Sequence, residues 1–555
     1  LFVTPARCLA TFLAGFALVS FVWGGLVFFG RNSTRASTAA NISLSPVLIL
    51  GLLIPYNYFY SALDGVRQIN SVIVVVLGVV LFAYLCKNDF EERPHKIGTP
   101  ASIAVIVLVA VAVFGTISVL RHLNFQNSSS FDVALYNQIQ WNNIHGRFYQ
   151  SSISGSNFVT HNSPFLVLLA PFYALYPHPG TLIFLKAIFL SVSIIPFYLI
   201  LKRIVAVSAV FPLTLCYVFF PFIVGQYFNA PHEICFLPPF LLFSFYFFLT
   251  KNFKWFLIFL GISLTVKEHL ALVAVMYGVY ALVLHRDRRW VIIPVLLGVA
   301  WAAFSFWIIY FFQEIYAVDP YPAWLIENIK QRFLRPEYPM PVNVLWGLKT
   351  SVMGSGHLLV YVYLLFAPVA LVFAFFSPVI LLGLPELSIN LLATVCLIYP
   401  TWHYNIIVSV FVLIAAAESL VQFAAKPFAQ KTAISFSKKQ ELLAWFLCLC
   451  VLCHSFLWWD FFFIRKDPSY KAAMRRALRM IPPETSVSAP KHLVAYVSTR
   501  DEYFLLEDRR KGSYIIVDHD ERITSPLEAI GGAVYYDETF HQDGIRVYKR
   551  RDLKG

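Results

Sequence analysis

A carboxylate that directly follows a long apolar run is the residue of this chain best placed to do chemistry. Residues 101–120 carry no charged side chain, Arg121–His122 close this run, and Phe131–Asp132 begin an amphipathic segment just beyond it. A carboxylate held at a membrane surface can act as a general base, or can bind a divalent metal, when a lipid-carried substrate arrives from the bilayer. The alternative is an ordinary polar loop residue, and position alone favours neither interpretation.

A lysine and a glutamate stand side by side in another apolar stretch. Lys267–Glu268 lie near the middle of residues 255–284. Charged side chains inside a membrane body are costly, and those that persist usually serve a site or pair with each other. The functional interpretation is a cation that holds a phosphate. The structural alternative is a Lys267–Glu268 salt bridge that only stabilises the turn.

The remaining candidates are His161, His232, Glu233 and His403, which lie at breaks between apolar runs, and Glu386, a buried carboxylate near a helix break. Glu386 could also bond to backbone that Pro385 frees, and Glu233 could also cap a helix start. Taken together, the candidates include carboxylates for general-base or metal chemistry and cations able to hold a phosphate. The sequence contains no Walker loop, dinucleotide-binding glycine pattern or zinc-ligand spacing.

The composition places these candidates in a polytopic membrane protein. Of the 555 residues, 59% are hydrophobic and only 13% are charged. Such values indicate a membrane protein rather than a soluble globule. Because 31 charged residues lie after position 464, a polar C-terminal domain is expected to follow the membrane body. Most basic residues lie in short loops beside apolar runs, so the net charge of +13 does not indicate a nucleic-acid partner.

The apolar runs predict an all-α membrane body with about 12 to 14 transmembrane segments. They lie at roughly 8–29, 44–60, 70–86, 101–121, 179–201, 204–222, 236–250, 290–312, 357–376, 378–398, 404–424 and 441–463. The short basic loops between them are expected to be cytoplasmic, which places the candidate residues other than Glu386 at the outer face.

Residues 255–284 do not fit a single span. The run is longer than the roughly 20 residues that cross a bilayer, and it begins and ends at basic loops expected on the same side. Two short helices with Lys267–Glu268 at the outer tip satisfy both observations. Irregular backbone at this depth is tolerated where it lines a cavity.

Three domains are expected along the chain. They are extra transmembrane helices in residues 1–100, a transmembrane core in 101–464 with outer loops at 122–163 and 313–355, and a soluble extracytoplasmic α/β domain in 465–555. In the last of these, residues 470–480 predict a basic amphipathic helix. Strands are predicted at 485–489, 514–517, 533–536 and 545–549.

Several spaced motifs resemble a known family. They are Phe131–Asp132 with Tyr136–Asn137–Gln138, Trp141 and Gly146, then His161 with Ser163–Pro164, Pro231–His232–Glu233, Lys267–Glu268, Leu384–Pro385–Glu386 with Asn390, His403–Tyr404, Ser488–Ala489, Leu493, Arg500 and Tyr514–Asp518. This pattern resembles a prokaryotic family of predicted membrane proteins with a domain of unknown function. The resemblance covers about residues 101–555.

That family is similar in layout to the GT-C glycosyltransferases, which use polyprenyl-phosphate sugars and include lipid A aminoarabinose transferase and protein mannosyltransferases. The resemblance implies a GT-C-like fold and inverting transfer of a sugar from a polyprenyl phosphate to an extracytoplasmic acceptor. Asp132 matches by position the catalytic or metal-linked aspartate of the first outer loop. On this interpretation substrate contacts come from His161, Lys267, His403 and His232, with Glu268, Glu233 and Glu386 in support.

The same interpretation defines the expected partners. They are a lipid-linked sugar donor and membrane lipids, with residues 1–100 available for docking to other membrane subunits. A divalent metal, Mg²⁺ or Mn²⁺, is an open alternative at Asp132. The expected location is the prokaryotic cytoplasmic membrane, with the active face and the C-terminus outside. The alternative function is a non-catalytic subunit that uses the same fold to scaffold a larger membrane complex.

Overall fold

The protein is described here by a computed structural model. It describes residues 99–127, 129–317, 361, 365–369, 373–392, 402–425, 435–455, 466–508, 512–518 and 536–551. The spans predicted before residue 99, the loop predicted at 313–355 beyond residue 317, and most of the span predicted at 357–376 lie outside these residues.

The membrane body is built from α-helices. In chain order they are α1 (Pro100–Leu123), α2 (Ser130–Ile144), α3 (Ala170–Ala174), α4 (Pro179–Ile204), α5 (Val207–Phe219), α6 (Pro221–Phe228), α7 (Pro238–Leu249), α8 (Phe253–Leu264), α9 (Leu270–Val283), α10 (Arg288–Tyr316), α11 (Leu384–Leu392), α12 (Ile406–Ala424) and α13 (Phe436–Ser455). Short 3₁₀ turns at Asn157–Val159, Pro164–Leu169, Glu233–Phe236, Pro378–Gly383 and His403–Asn405 connect several of them.

Within the described ranges, four helices are long and apolar enough to cross a membrane. They are α1, α4, α10 and the segment His403–Ala424, which contains α12. The pair α5 and α6 makes a fifth candidate, bent by 45°. Pro221 starts the second half of this pair, because proline at a first helical position lacks only a donor that would be unpaired there anyway. The expected all-α membrane body with several apolar helices is confirmed.

The run at residues 255–284 folds as two short helices, as predicted. Helix α8 ends at Leu264, α9 starts at Leu270, and the turn between them carries Lys267–Glu268. Glycines let α9 approach α10 closely: a Cβ at Gly278 would lie 2.6 Å from the Val291 carbonyl oxygen. Small residues at such contacts are typical of helix packing in lipid, where close backbone approach replaces the hydrophobic driving force.

The C-terminal part forms a small α/β unit of helix α14 (Pro468–Arg479) and a five-stranded sheet. Its strands are β3 (Val487–Ala489), β4 (Tyr503–Leu505), β5 (Tyr514–Val517), β6 (Tyr536–Gln542) and β7 (Ile545–Arg550), after the small hairpin β1 (Gln150–Ser151) and β2 (Gly155–Ser156) in the first loop. Across the five-stranded sheet the order is β4-β3-β5-β7-β6, parallel at β3 with β4 and β5 and antiparallel elsewhere. The predicted α/β character is confirmed. Strand β4 was not predicted, since three residues give too short a pattern.

Candidate functional site

Helix α2 begins at a polar cap that includes the first candidate residue. Ser129 is the N-cap, and its hydroxyl oxygen accepts a hydrogen bond from the Asp132 backbone N–H. The same hydroxyl donates to the Asp132 carboxylate, with 2.5 Å between the oxygens. Such a reciprocal cap, together with the positive end of the helix dipole, favours an ionised carboxylate at this position. Local sequence therefore places Asp132 at the start of a helix, where its oxygens can face a neighbouring turn.

That neighbouring turn carries His232. The Nε2 atom of His232 lies 3.4 Å from Oδ2 of Asp132. The turn follows the end of α6, and the Lys186 ammonium of α4 donates to the carbonyl of Asn229 within it. Lys186 is completely buried. The turn that brings His232 to Asp132 is thus held against helix α4 by the buried Lys186.

Tyr136, one helical turn after Asp132, connects this pair to a second one. Its hydroxyl lies 3.1 Å from Nδ1 of His232 and donates to Oε2 of Glu233. The other Glu233 oxygen, Oε1, is 2.6 Å from the Lys267 ammonium. Alternating charges and one hydroxyl therefore form a continuous chain from Asp132 to Lys267.

Lys267 and Glu268 do not form a salt bridge with each other. Oε1 of Glu268 lies 2.9 Å from Nδ1 of His161, and Oε2 of Glu268 accepts from the Asn162 backbone N–H at 3.2 Å. Lys267 and Glu268 thus reach different segments of the chain. The turn between α8 and α9 joins the first loop to the turn after α6.

His403 lies against the same cluster. Its ring stacks on that of His232 with 3.4 Å between ring centroids. Only 2% of the residue is exposed, and neither ring nitrogen has a hydrogen-bond partner. A buried imidazole without partners is costly, so it has hydrogen-bonding capacity that a bound polar group could use.

Glu386 has a different role from the other candidates. Its Oε2 accepts from the backbone N–H of Val408 at 2.6 Å. Val408 lies in the first turn of α12, where N–H groups lack partners within the helix. Glu386 thus bonds to backbone, as its structural alternative proposed, but to the start of another helix rather than to backbone beside Pro385.

The electrostatics of the Asp132–His232 pair favour charge on both groups. Burial alone would raise the pKa of Asp132, but the nearby His232 and the Ser129 hydroxyl bring it below its ordinary value. Burial alone would lower the pKa of His232, but Asp132 and Glu233 raise it. For Glu233, burial opposes ionisation, while Lys267 and His232 hold its pKa well below the ordinary value.

The donor set gives little support to a metal held by protein alone. Within the described residues, no group of three or more His, Cys, Asp or Glu side chains could hold a metal ion. The nearest second carboxylate, Glu233, is already bound by Lys267 and Tyr136. Mg²⁺ is usually held by one or two carboxylates together with substrate phosphates, so a metal at Asp132 would need further oxygen ligands from a bound phosphate.

The opposite face of α2 binds the C-terminal unit. Asn137 donates from Nδ2 to the hydroxyls of Ser498 and Thr499, at 3.0 Å each. Gln138 donates from Nε2 to the Asp501 carbonyl at 2.9 Å. Both amides are fully buried. The helix that carries Asp132 is thus held between the charged cluster and the C-terminal unit.

Sequence reasoning missed two residues of the site. Tyr136 was part of a motif but received no role, and Lys186 was not singled out. A lysine inside an apolar run was the available signal for Lys186, since buried membrane charges usually mark a site or a pair. No comparable local signal existed for Tyr136, because its partners are distant in sequence.

Comparisons with known proteins agree with a membrane protein. The family model described as Predicted membrane protein (DUF2079) matches residues 121–524. No curated protein matches the sequence significantly.

Among solved structures, the chain is similar to ArnT from Cupriavidus metallidurans bound to undecaprenyl phosphate. The identity is 11% and the TM-score 0.47, with 81% of this chain and 98% of that chain covered. It is also similar to the archaeal oligosaccharyltransferase AglB from Archaeoglobus fulgidus in complex with an inhibitory peptide and a dolichol-phosphate. There the identity is 13% and the TM-score 0.36, with 81% and 74% covered.

Proposed function

The chain belongs to the family of predicted membrane proteins designated DUF2079, and we propose that it is a GT-C-like glycosyltransferase that moves a sugar from a polyprenyl-phosphate donor to an extracytoplasmic acceptor. The observation that carries this proposal is the Asp132–His232 pair. Asp132 keeps 18% of its side chain exposed, whereas Glu233 is completely buried and Lys267 is 4% exposed. Of these three charged groups, Asp132 is the one that an incoming hydroxyl can reach.

Asp132 is proposed to act as the general base. Its lowered pKa keeps it ionised at neutral pH, so it can accept the proton of an acceptor hydroxyl. The hydroxyl oxygen then attacks the anomeric carbon from the face opposite the phosphate. The bond between that carbon and the phosphate oxygen breaks, and the phosphate leaves with the bonding electrons. One such displacement inverts the anomeric configuration. His232 keeps the Asp132 carboxylate in place.

The leaving phosphate is proposed to bind at His403 and Lys267. His161 is proposed to lie close to it, because His161 pairs with Glu268, the residue next to Lys267. His403 has two unused ring nitrogens and stacks directly on His232. Lys267 supplies positive charge, although Glu233 already neutralises part of it. Fixed cations aimed at a leaving phosphate stabilise the charge that develops there.

The test is Asp132→Asn in the full-length protein. The substitution keeps shape and hydrogen bonding but removes the base, and loss of general-base catalysis alone costs roughly 10²–10⁴-fold in rate. We expect transfer from polyprenyl-phosphate sugars to fall by that factor while binding of undecaprenyl phosphate stays unchanged. Asp537→Asn is the matched control, because Asp537 is an exposed carboxylate on β6 that pairs with Arg551.

A second variant separates binding from chemistry. His403→Gln is expected to weaken undecaprenyl phosphate binding, measured directly and without an acceptor. If Asp132→Asn transfers sugar as fast as the unmodified protein, Asp132 is not the base. A protein that also fails to bind the lipid phosphate would support the alternative of a non-catalytic subunit in a membrane complex.

A further inference from the structure

Helix α14 presents a basic face that the proposed transferase chemistry does not use. The helix contains Lys471, Arg475, Arg476 and Arg479 and no acidic residue. Its apolar face, formed by Ala473, Met474 and Ala477, is buried in the core of the C-terminal unit. Arg475, Arg476 and Arg479 are exposed. The face of α14 opposite its buried apolar side chains is therefore positively charged and lies at the protein surface.

Two contacts place this helix at the end of a membrane span. Arg475 donates from Nη2 to the carbonyl of Leu123, the last residue of α1, at 3.3 Å. Phe125, two residues further on, packs in the same core as the apolar face of α14. Its ring also meets that of Tyr470 edge-on, with 6.2 Å between centroids. The basic face thus begins where the apolar surface of the membrane body ends.

The surroundings match a membrane boundary. Leu120 and Leu123 near the end of α1 are 41% and 44% exposed, and Met480 directly after α14 is 45% exposed. Leu123 is the residue whose carbonyl Arg475 contacts, and Met480 directly follows Arg479. Apolar groups next to a row of Lys and Arg are typical of segments that lie on a membrane surface.

The charge of the three exposed arginines is not neutralised by a carboxylate in the described part of the chain, whereas Lys471 interacts electrostatically with Asp467. None of the three arginines forms an ion pair with a described carboxylate, and Arg476 bonds instead to the neutral Gln542 side chain at 2.9 Å. The nearest acid along the chain is Asp467, which caps the N-terminus of α14 by accepting from the Ser469 backbone N–H. At the membrane surface, anionic lipid headgroups are the groups that can pair with these basic side chains.

We propose that the basic face of α14 binds anionic phospholipid headgroups and so holds the C-terminal unit on the membrane surface. This proposal does not depend on the transferase function. It also does not depend on which side of the membrane this end of the helix bundle occupies. Each basic residue near an anionic surface contributes about fivefold to lipid partitioning. Loss of three arginines should therefore be measurable.

The experiment uses full-length protein in micelles that contain phosphatidylcholine and phosphatidylglycerol in equal amounts. A photoreactive phosphatidylglycerol is cross-linked, and adducts are mapped by mass spectrometry. We expect adducts on residues 466–482, and these should decrease as salt is added because screening weakens surface electrostatics. In Arg475→Gln/Arg476→Gln/Arg479→Gln the adducts on this segment should fall roughly tenfold or more.

The control is Arg546→Gln/Arg550→Gln/Arg551→Gln, which removes the same charge from β7 and from the residue that follows it. Unchanged thermal unfolding of both triple variants shows that each folds. The proposal is overturned if the unmodified protein forms no adducts on residues 466–482, or if both triple variants lose adducts equally. It is also overturned if soluble glycerol phosphate competes as well as the lipid does, because the site would then bind a free phosphate.

Discussion

The two faces of α2 are built from different chemistry. One face carries Asp132 and Tyr136 and meets a cluster of charged side chains. The other carries Asn137 and Gln138 and meets the C-terminal unit through neutral amide hydrogen bonds. Burying an ion costs far more than burying a satisfied amide. The neutral amides therefore fix the helix in position at low cost, whereas every ion on the charged face needs a partner that compensates for its burial.

The largest loss of stability is expected when the positive charge of Lys267 is removed from the cluster that meets the charged face of α2. Lys267→Met leaves the buried Glu233 without its cation, and removing one partner of a buried pair typically costs roughly 3–5 kcal/mol. Thermal unfolding in detergent measures this loss. The double variant Lys267→Met/Glu233→Gln should regain stability but not transfer activity. Recovery of both would show a purely structural pair.

A smaller loss of stability is expected when hydrogen bonds of the neutral face are removed. Ser498→Ala/Thr499→Val removes both acceptors of the Asn137 amide and leaves a buried donor unsatisfied, which costs roughly 1–3 kcal/mol. Thermal unfolding and protease sensitivity of the C-terminal unit check it. Thr499→Ser keeps the hydroxyl and serves as the control. Equal losses in the control and in the double variant would exclude the hydrogen bond as the cause.

The Asp132–His232 pair should give the charged face a characteristic pH dependence. The pKa of His232 is raised from 6.5, so its contribution to stability is complete below that value and is lost as pH rises through the raised pKa. The pKa of Asp132 is lowered from 3.8, so its contribution is complete above that value and is lost as pH falls through the lowered pKa. The stability difference between unmodified protein and Asp132→Asn should therefore be largest between the two ordinary pKa values, 3.8 and 6.5, and should decrease outside that range. A difference that does not vary with pH would contradict charge on both groups.

The smallest effect is expected at the exposed margin of the neutral face. Arg147 pairs with Asp501 there, but the two side chains are 37% and 64% exposed. Exposed ion pairs contribute about 0–1 kcal/mol. Arg147→Gln should leave both thermal unfolding and sugar transfer nearly unchanged. A loss as large as that of the Ser498/Thr499 variant would show that charge also matters on this face.

Much of the fold was predictable because lipid imposes a simple rule on sequence. Long apolar runs must form helices, since no other local structure satisfies the backbone in a bilayer. The runs at 101–121 and 179–201 became α1 and α4, and the run at 255–284 divided at Lys267–Glu268 as expected. In the C-terminal unit, residues 514–517 form the predicted strand β5.

Sequence also singled out polar residues that the structure brings together, but it did not identify their partners. Lys267 stands out because charged groups are rare within apolar runs, and Asp132, His232, Glu233 and His403 stand out because they lie directly beside such runs. The pairing of Lys267 with Glu233, and of Glu268 with His161, joins turns that are distant in sequence. No local pattern reports such contacts.

Sequence alone thus determined which segments are apolar, where they break and which polar groups remain at the breaks. Tertiary structure decided which of those groups touch. It paired Asp132 with His232, inserted Tyr136 between His232 and Glu233, and directed Glu386 to the first turn of α12. The physical reason is one of range: burial and helix formation follow from neighbouring residues and the solvent, whereas a buried charge is stabilised only by the partner that packing brings to it.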